Sequence, residues 1–472
     1  MADSKSIPHW SIAAVLVAAI ASPPARAQIL GDIGGTISRP LEDLDRRIEE
    51  NIEDQITRDL EDIGVETELP RSVAGVLDSS SIGNTLDDTL SNVQELGAGL
   101  SGIVSVPGKP DVGRQIDIDR HDGWPVIRNE WIVLVPQERA DAVESLDVTV
   151  VERTELAGSR ETLFIVSLTA TAATASAVEQ ELTSLGGEPF DRNHLYEGAS
   201  DPQAAADGSF SPAETAADIP AAQAGVNRIG LIDTDVDETH PALADTRLYE
   251  ADFVALGSLR PQTHGTAVAS IIVGASQDRN PSQRELLAAS TFFLSGDGTT
   301  GATTASLIQA IDWLHSNDVS VVNFSLTGPP NRALQAVIEA RQRDGMVFVA
   351  AVGNEGPASG PLFPAAYEGV VGVTAVDEKG QIYRWANRGA FVDVAALGVN
   401  VTVARPGGLS GRDSGTSFAA PVVSAFIGGW TGAKRVSGQP MEDLIRASVG
   451  GRTKQDKDDT IGFGILVPSS SR

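Results

Sequence analysis

Three residues of the chain, Asp233, His264 and Ser417, are of the types that together can activate a hydroxyl group for attack on a carbonyl carbon. Ser417 lies between small residues in a Gly-Thr-Ser-Phe-Ala segment, at the predicted start of an apolar helix. The free N–H groups and the positive dipole end of such a helix stabilise negative charge that develops there. Because a serine hydroxyl is a weak nucleophile, we expect His264 to accept its proton and Asp233 to orient the imidazole.

Several further segments accompany these residues in a particular order along the chain. Residues 321–328 read Val-Val-Asn-Phe-Ser-Leu-Thr-Gly, residues 350–356 read Ala-Ala-Val-Gly-Asn-Glu-Gly, and residues 363–367 read Phe-Pro-Ala-Ala-Tyr. The chain order Asp, His, Ser is that of subtilisin. From about Gly225 to the C-terminus, the sequence resembles the subtilisin-like serine peptidases, or subtilases, of the exported bacterial type. The ordered set of segments makes this resemblance specific, whereas one segment alone would not.

The resemblance implies a serine endopeptidase, an enzyme that hydrolyses peptide bonds within polypeptides. It implies that the side-chain amide of Asn354 and the backbone N–H of Ser417 stabilise the negative oxygen of the tetrahedral intermediate. It also implies a strand that binds the substrate backbone as an added strand, which would accept many sequences. The expected substrate-binding residues are Ser325, Leu326, Thr327 and Gly328.

Two other functions are compatible with parts of this pattern. A catalytically inactive pseudopeptidase could bind peptides, although all four expected catalytic positions carry competent residue types. An esterase on an α/β-hydrolase fold needs a Gly-x-Ser-x-Gly elbow and the order Ser, acid, His, and Ser417 meets neither condition. One departure from the family concerns Asp235, which stands where glycine is usual. We expect its carboxylate to lie near Asp233 and to raise the apparent pKa of the Asp–His pair.

Composition and charge exclude several classes of function. The 472-residue chain has no cysteine, so disulfides, thiol catalysis and zinc–thiolate sites are excluded, and its length predicts more than one domain. The net charge is −29, and residues 1–224 hold 15 Lys and Arg against 39 Asp and Glu, whereas residues 225–472 hold 20 against 25. Nucleic acid is not expected as a partner, because binding it requires a basic face.

The first 27 residues have the layout of a secretory signal peptide. Lys5 and His9 precede the apolar run of residues 12–21, and an Ala-Arg-Ala cleavage signal ends at Ala27. We expect cleavage after Ala27 and export to the periplasm or the extracellular space. An uncleaved membrane anchor is the alternative, but the run is shorter than the roughly 20 apolar residues that a span requires. No membrane span is expected in the mature chain.

Residues 28–125 are expected to form an acidic extension that is helical in part. Apolar residues recur at steps of three and four between Leu41 and Leu60, among Asp, Glu and Arg, which is typical of an amphipathic helix. Glycine-rich stretches at 31–35 and 97–102 predict flexible joints. The extension is either a partner-binding stalk or a solvated spacer.

Residues 126–198 predict a small α+β domain. Its apolar runs and helical stretches follow the order strand, helix, strand, strand, helix, strand, which is that of a ferredoxin-like unit. This order resembles the inhibitory propeptides that precede many subtilase domains. The domain is therefore expected to be an intramolecular inhibitor. Residues 199–224 are rich in Ala, Asp, Ser and Pro, and they predict a linker in which maturation cleavage would occur.

Residues 225–472 alternate apolar strand patterns with helical patterns, which predicts a mostly parallel central sheet between two layers of helices. Together with the resemblance, this pattern favours the three-layer subtilisin-like α/β fold. In such folds functional groups gather where strands end and helices begin. The predicted strands include 229–232, 319–324, 347–352 and 370–376, and the predicted helices include 264–274, 303–317, 332–344 and 417–429.

No cofactor is needed for the expected chemistry, and no metal site is predicted. Many subtilases bind structural calcium, but no segment of this chain has a recognisable calcium-loop motif. The acidic residues near His121 lack a ligand spacing and predict a solvated segment. His240 lies in a His-Pro-Ala-Leu context and is expected to pack in the structure, not to act as a base.

Overall fold

A computed structural model describes most of the chain after residue 116. The described residues are 117–168, 175–185, 189–198, 210–211, 219, 226–254, 260–276, 284–294, 300–431, 439–450 and 457–466. The chain divides into two compact units, Met1–Pro110 and Asp111–Arg472, and all described residues belong to the second. The predicted signal peptide, almost all of the acidic extension and almost all of the linker lie outside the described residues. Within the described ranges, no helix combines the length and apolarity needed to cross a bilayer.

The first part of the described chain is an antiparallel sheet with two helices. Its elements are β1 (Ile118–His121), β2 (Trp124–Pro136), α1 (Ala140–Glu144), β3 (Val148–Leu156), β4 (Glu161–Leu168), α2 (Ala175–Thr183) and β5 (Phe190–Gly198). The strands lie in the order β5-β2-β4-β3, and β1 pairs with β2. This sheet begins inside the range 28–125 assigned to the extension, because β1 pairs with β2, and Arg128 adds ion pairs with Asp117 and Asp119.

The continuous apolar run in β2 is explained by burial on both faces of the sheet. Trp131 and Val133 belong to a core with α1 and α2 on one face. Ile132 and Leu134 belong to a different core on the other face, which they share with residues of the second part of the chain. An alternating pattern would be expected only if one face met water.

The second part of the described chain is a larger α/β unit. Its strands are β6 (Phe210–Ser211), β7 (Asn227–Asp233), β8 (Arg247–Asp252), β9 (Arg260–Pro261), β10 (Arg284–Ser290), β11 (Phe292–Leu294), β12 (Thr300–Thr303), β13 (Val321–Phe324), β14 (Leu326–Thr327), β15 (Val347–Ala351), β16 (Val371–Val376), β17 (Val394–Leu397), β18 (Val401–Arg405), β19 (Leu409–Asp413), β20 (Val449–Gly450) and β21 (Ile465–Leu466). Its α-helices are α3 (Thr263–Ala275), α4 (Thr304–Ser316), α5 (Arg332–Arg343), α6 (Thr416–Thr431) and α7 (Gln439–Ser448).

The central sheet of this unit has the order β20-β21-β17-β16-β15-β13-β7-β10-β8 among the described strands. Its pairs from β21 to β8 are parallel, and the β20 pair is antiparallel. Helices α4 and α5 share a core with one face of the sheet, and α3, α6 and α7 pack on the other. The prediction of an α/β fold with a parallel central sheet is therefore confirmed.

Strand β5 connects the two parts of the described chain. Leu195 and Tyr196 pair with β12, and Glu197 and Gly198 pair antiparallel with Thr327 and Leu326 of β14. The side chain of Tyr196 is completely buried. Its ring occupies the space in which any side chain at Gly328 would lie, so this close approach requires glycine.

Candidate active site

Asp233 is the last residue of β7, at the carboxyl end of the parallel sheet. Its side chain is 1% exposed, and its Oδ1 accepts a hydrogen bond from the backbone N–H of Thr234 at 2.7 Å. The backbone N–H of Thr291 donates to its carbonyl oxygen at 2.9 Å. The first bond orients the carboxylate, and the second holds the backbone at the end of β7.

His264 is the second residue of α3, and its Nδ1–H donates to Oδ1 of Asp233 at 2.7 Å. The approach of the two segments depends on Gly265, because a Cβ there would overlap the carbonyl oxygen of Thr234. The N–H of Gly265 also donates to the hydroxyl of Thr234 at 2.7 Å. With its proton on Nδ1, the ring presents the lone pair of Nε2 on its other side.

The surroundings of His264 favour its charged form. Burial lowers the pKa of the imidazole, but the negative charge of Asp233 and the hydrogen bond to it act in the opposite direction and prevail. Asp413 adds to this effect, and Arg405 opposes it. The net result is a pKa above the ordinary value of 6.5.

Ser417 is the second residue of α6, and its backbone carbonyl accepts a hydrogen bond from Ser325. Pro421, inside the same helix, has no N–H to donate to the carbonyl of Ser417, as a residue four positions on would normally do. The hydroxyl of Ser325 donates to that carbonyl instead, at 2.8 Å. Because of the proline, the carbonyl oxygen of Ser417 is available to Ser325, and this hydrogen bond joins the segment before β14 to the start of α6.

Two residues that the sequence did not indicate extend this support. Asn323 donates from Nδ2 to the hydroxyl of Ser325 at 2.9 Å, and Ser424 donates from its hydroxyl to Oδ1 of Asn323 at 2.9 Å. All three side chains are fully buried. The sequence offers one signal for this network, the polar Asn323 in an otherwise apolar strand, since a buried amide needs hydrogen-bond partners.

The hydroxyl of Ser417 and the ring of His264 make no hydrogen bond to each other. The ring of Phe418, the next residue, lies 5.6 Å from the imidazole, centroid to centroid. Among the described residues, neither Oγ of Ser417 nor Nε2 of His264 has a hydrogen-bond partner, and both atoms are buried. Catalytic hydrogen bonds are often long in enzymes without substrate, so this geometry is compatible with transfer after substrate binds.

Asn354 follows β15 and is fixed by Thr416, the first residue of α6. Its Oδ1 accepts from the backbone N–H of Thr416 at 3.1 Å and from the hydroxyl of Thr416 at 3.0 Å. The same hydroxyl accepts from the N–H of Gly353 at 3.2 Å. Because the amide is planar, engaging Oδ1 in this way sets the direction of Nδ2. Thr416 thus orients the Asn354 side chain as well as the backbone of α6.

Asp235 differs from what the sequence led us to expect. Its carboxyl group hydrogen-bonds Glu250 and Gln262, not Asp233. Burial, followed by the charge of Asp235, raises the pKa of Glu250 to about 10, and burial also raises the pKa of Asp235. The raised pKa of Glu250 favours a proton in its hydrogen bond with Asp235, and Asp235 also accepts a hydrogen bond from the amide of Gln262 immediately before α3.

The expected substrate-binding residues divide into two kinds. Leu326 and Thr327 form β14 and pair with β5, and Gly328 bonds through its backbone to Phe363 in both directions, at 2.8 and 3.0 Å. The side chain of Ser325 instead points toward α6, as described above. The main chain of β14 is thus paired with β5, while Ser325 supports α6 with its side chain.

His240 has a structural role in this arrangement. Its Nδ1 accepts from the N–H of Ala242 at 3.0 Å, and its Nε2 bonds the carbonyl oxygen of Leu409 at 2.8 Å. Both ring nitrogens are therefore engaged by the backbone. Across the described residues, no three His, Asp or Glu side chains are grouped as metal ligands would be.

Comparison with known proteins gives consistent results. A sequence model of the subtilase family matches residues 227–464. Subtilisin E of Bacillus subtilis (strain 168) is 31% identical over 205 residues, which are 42% of this chain and 53% of that protein. Subtilisin of Bacillus pumilus is 31% identical over 205 residues, 42% of this chain and 74% of that protein. The chain thus spans about half the length of subtilisin E.

Fold comparison extends the match to a larger share of the chain. Fervidolysin from Fervidobacterium pennivorans, a keratinolytic enzyme related to subtilisin, superposes with a TM-score of 0.56 at 18% identity. The superposition covers 78% of this chain and 64% of fervidolysin. At this identity the likeness concerns the fold. The family match over half of the sequence and the similarity to subtilisins together show that the chain belongs to the subtilase family.

Proposed function

We propose that the protein is a serine endopeptidase that uses Asp233, His264 and Ser417 as its catalytic triad. The observation that carries the proposal is the 2.7 Å hydrogen bond from His264 Nδ1 to Asp233. It leaves the opposite ring nitrogen, Nε2, with a lone pair next to the segment that bears Ser417. The subtilase membership of the chain gives this geometry its chemical context.

In the proposed reaction, Oγ of Ser417 attacks the scissile carbonyl carbon while Nε2 of His264 takes the hydroxyl proton. Asp233 holds the imidazole in the required tautomer and stabilises the imidazolium that forms. His264 then gives its proton to the leaving amine, and water hydrolyses the acyl-enzyme by the same route in reverse. These side chains and backbone donors supply every step, so the chemistry needs no cofactor.

The negative oxygen of the tetrahedral intermediate would be stabilised by two donors. One is the backbone N–H of Ser417 at the start of α6, and the other is the Asn354 amide that Thr416 orients. A donor fixed in advance costs no reorganisation when charge develops, and removing one such donor typically lowers the rate by about 10²–10³-fold.

Polypeptides are the proposed substrates, bound as an extra strand along β14. The pairing of β5 with Leu326 and Thr327 supports this use of the edge, because it is a main-chain interaction that depends little on side chains. Main-chain hydrogen bonds would then supply affinity, and neighbouring pockets would supply preference.

The antiparallel unit that ends with β5 is proposed to be an inhibitory propeptide with a ferredoxin-like fold. Its element order and its strand order, β5-β2-β4-β3, support this assignment. Inhibition would follow from its position, because β5 already occupies the edge that substrate would use. Removal of the unit through cleavage in residues 199–224, after export directed by residues 1–27, completes the proposed maturation.

An inactive peptide-binding protein is the alternative, and the missing hydrogen bond between Ser417 and His264 is the observation that favours it. Full-length wild type, Ser417→Ala and Ser410→Ala should be purified and followed by intact-mass spectrometry and by hydrolysis of an unfolded polypeptide. Ser410 is an exposed serine on β19 and serves as the matched control. We expect processing and hydrolysis in wild type and Ser410→Ala, and neither in Ser417→Ala. Equal processing or equal hydrolysis in all three proteins would overturn the proposal.

A further inference from the structure

The side chain of Tyr196 occupies a closed pocket on the α/β unit. It is completely buried, and its ring lies against the backbone of Gly328, where a Cβ would overlap it. At the other end of the ring, the hydroxyl donates to the carbonyl oxygen of Pro329 at 3.0 Å. This space between Gly328 and the Pro329 carbonyl, the tyrosine pocket, thus fits a tyrosine at both ends.

The walls of the tyrosine pocket are held by contacts within the α/β unit. Gly328 pairs with Phe363 through both of its backbone groups, and the ring of Phe363 lies 4.5 Å from that of Tyr367, centroid to centroid. The hydroxyl of Tyr367 accepts from the backbone N–H of Asn331 at 2.8 Å and donates to its carbonyl oxygen at 3.0 Å. Tyr367 and Tyr196 belong to the same buried cluster. Because these wall contacts do not involve β5, we expect the pocket to keep its shape when β5 leaves.

Strand β5 lies between two strands of the α/β unit, as an added strand would. Tyr196 pairs with Ala302 of β12, and Glu197 pairs antiparallel with Thr327 of β14. Because opposite positions in an antiparallel pair move in opposite directions along the chain, Gly328 lies opposite Tyr196. A substrate that pairs with β14 in the same register would therefore place one side chain in the tyrosine pocket.

The same register gives the distance from the pocket to the reacting bond. Leu326 lies opposite Gly198, the second residue after Tyr196, so the third residue of such a substrate would face Ser325. The hydroxyl of Ser325 donates to the carbonyl oxygen of Ser417 at 2.8 Å, which keeps this point of the strand next to the nucleophile. The substrate residue that faces Ser325 is therefore the one whose carbonyl carbon Ser417 would attack.

We propose that the tyrosine pocket is a substrate subsite that selects tyrosine over phenylalanine, three residues before the residue that supplies the scissile carbonyl. The inference rests on the proposed function, in which substrate binds along β14. Phenylalanine would fill the space beside Gly328 but would give the Pro329 carbonyl no donor. A site that binds a hydroxyl discriminates against a ligand without one, because a buried acceptor then loses its partner.

Three synthetic peptides measure this preference. The parent peptide has the chain's own sequence over residues 195–202, Leu-Tyr-Glu-Gly-Ala-Ser-Asp-Pro, and the other two replace its tyrosine with phenylalanine or alanine. We expect cleavage between the alanine and the serine, the third and fourth residues after the tyrosine. The kcat/KM of the tyrosine peptide should exceed that of the phenylalanine-substituted peptide at least about fivefold, and that of the alanine-substituted peptide at least about thirtyfold.

The protein for these measurements is the full chain, cut between residues 199 and 224 by an added protease that is then removed. Gly328→Ala should lower the ratio of kcat/KM between the tyrosine and alanine-substituted peptides at least about fivefold, because the new Cβ occupies the ring space. Gly274→Ala, on α3, is the matched control and should keep the wild-type ratios, since a Cβ there meets no atom within 4 Å. If Gly328→Ala does not fold, the three peptides with wild type still decide.

Binding of the same peptides to Ser417→Ala protein, cut in the same way, separates this inference from the proposed function. Fluorescence anisotropy with labelled peptides should give the highest affinity with tyrosine, then phenylalanine, then alanine. That order without hydrolysis by wild type would overturn the proposed function and leave the subsite standing. Equal kcat/KM for the tyrosine and phenylalanine-substituted peptides, cleavage at a different bond, or no measurable binding of any peptide would overturn the inference.

Discussion

At the scale of single residues, the pKa of His264 determines when the proposed reaction can run. The base must be neutral to accept a proton, and the charge of Asp233 raises the pKa of His264 above its ordinary value of 6.5. Activity should therefore be present above the raised pKa and be lost as pH falls through it. We expect the midpoint of the acidic limb of kcat/KM above 6.5, measured on matured enzyme with a peptide substrate. A limb at or below 6.5 would mean that Asp233 does not dominate.

The orientation of Asn354 leads to a second prediction at this scale. Asn354→Leu should lower kcat by about 10²–10³-fold with little change in KM, because the lost hydrogen bond forms only as the oxyanion develops. Steady-state kinetics with one peptide substrate measures both constants. A variant that raised KM and kept kcat would assign Asn354 to ground-state binding.

Residue identities were more predictable than their supporting contacts. Asp233 and His264 could be singled out by their neighbours in sequence, and the structure joins them by a hydrogen bond. Asn323 and Ser424 could not, because their partners lie across the sheet and no spacing in sequence marks them. Asp235 was expected near Asp233, but the strand ends at Asp233, and beyond it the carboxyl group of Asp235 hydrogen-bonds Glu250 instead.

At the scale of secondary-structure elements, a buried ion pair joins β7 to β10. Arg228 and Glu285 are register partners, lie 2.7 Å apart and are 3% and 4% exposed. Glu285→Leu should lower the free energy of unfolding by about 3–5 kcal/mol, because it leaves the buried charge of Arg228 without its carboxylate. Denaturant unfolding in the Ser417→Ala background measures this without self-digestion. A loss below about 1 kcal/mol would show that the carbonyl of Asn317, which Arg228 also bonds, is enough.

Tyr196 is the anchor of β5 on the second part of the chain. Tyr196→Ala removes a fully buried ring, a change that costs several kcal/mol for large aromatic side chains. We expect a fluorophosphonate to label Ser417 at least about tenfold faster in freshly purified full-length Tyr196→Ala than in wild type, since β5 would separate from β14 more often. Val150→Ala, on the exposed edge of β3, should leave the labelling rate unchanged. Equal labelling rates in Tyr196→Ala and wild type would show that Tyr196 does not control access to Ser417.

Elements with strong apolar runs were predictable, and elements defined by distant partners were not. The strand predicted at 347–352 is observed as Val347–Ala351, and the helix predicted at 332–344 is observed as Arg332–Arg343. Strand β10 begins with Arg and Glu, which are not typical of a buried strand. Glu285 is buried there because it pairs with Arg228, a contact that the sequence does not show. The hairpin of β18 and β19 has mixed polarity, because its outer face meets water while Val403 joins the core.

At the scale of the whole molecule, the antiparallel unit and the α/β unit share one core. Ile132, Leu134 and Ile165 of the first belong to the same cluster as Phe324 and Phe348 of the second. Strand β5 adds main-chain pairing with β12 and β14 to this apolar contact. The parts are therefore joined by two kinds of interaction, and β5 lies on the edge that the proposed substrate would need.

Fluorophosphonate attachment should be mapped by peptide mass spectrometry in protein that an added protease has cut between the two parts, so that inactive variants are processed as well. We expect a single adduct on Ser417, with the labelling rate reduced by about 10³-fold or more in His264→Ala, because the hydroxyl then has no base. The control Ser410→Ala should label like wild type. An adduct on another residue, or equal labelling of Ser417 in wild type and His264→Ala, would contradict the claim that His264 activates Ser417.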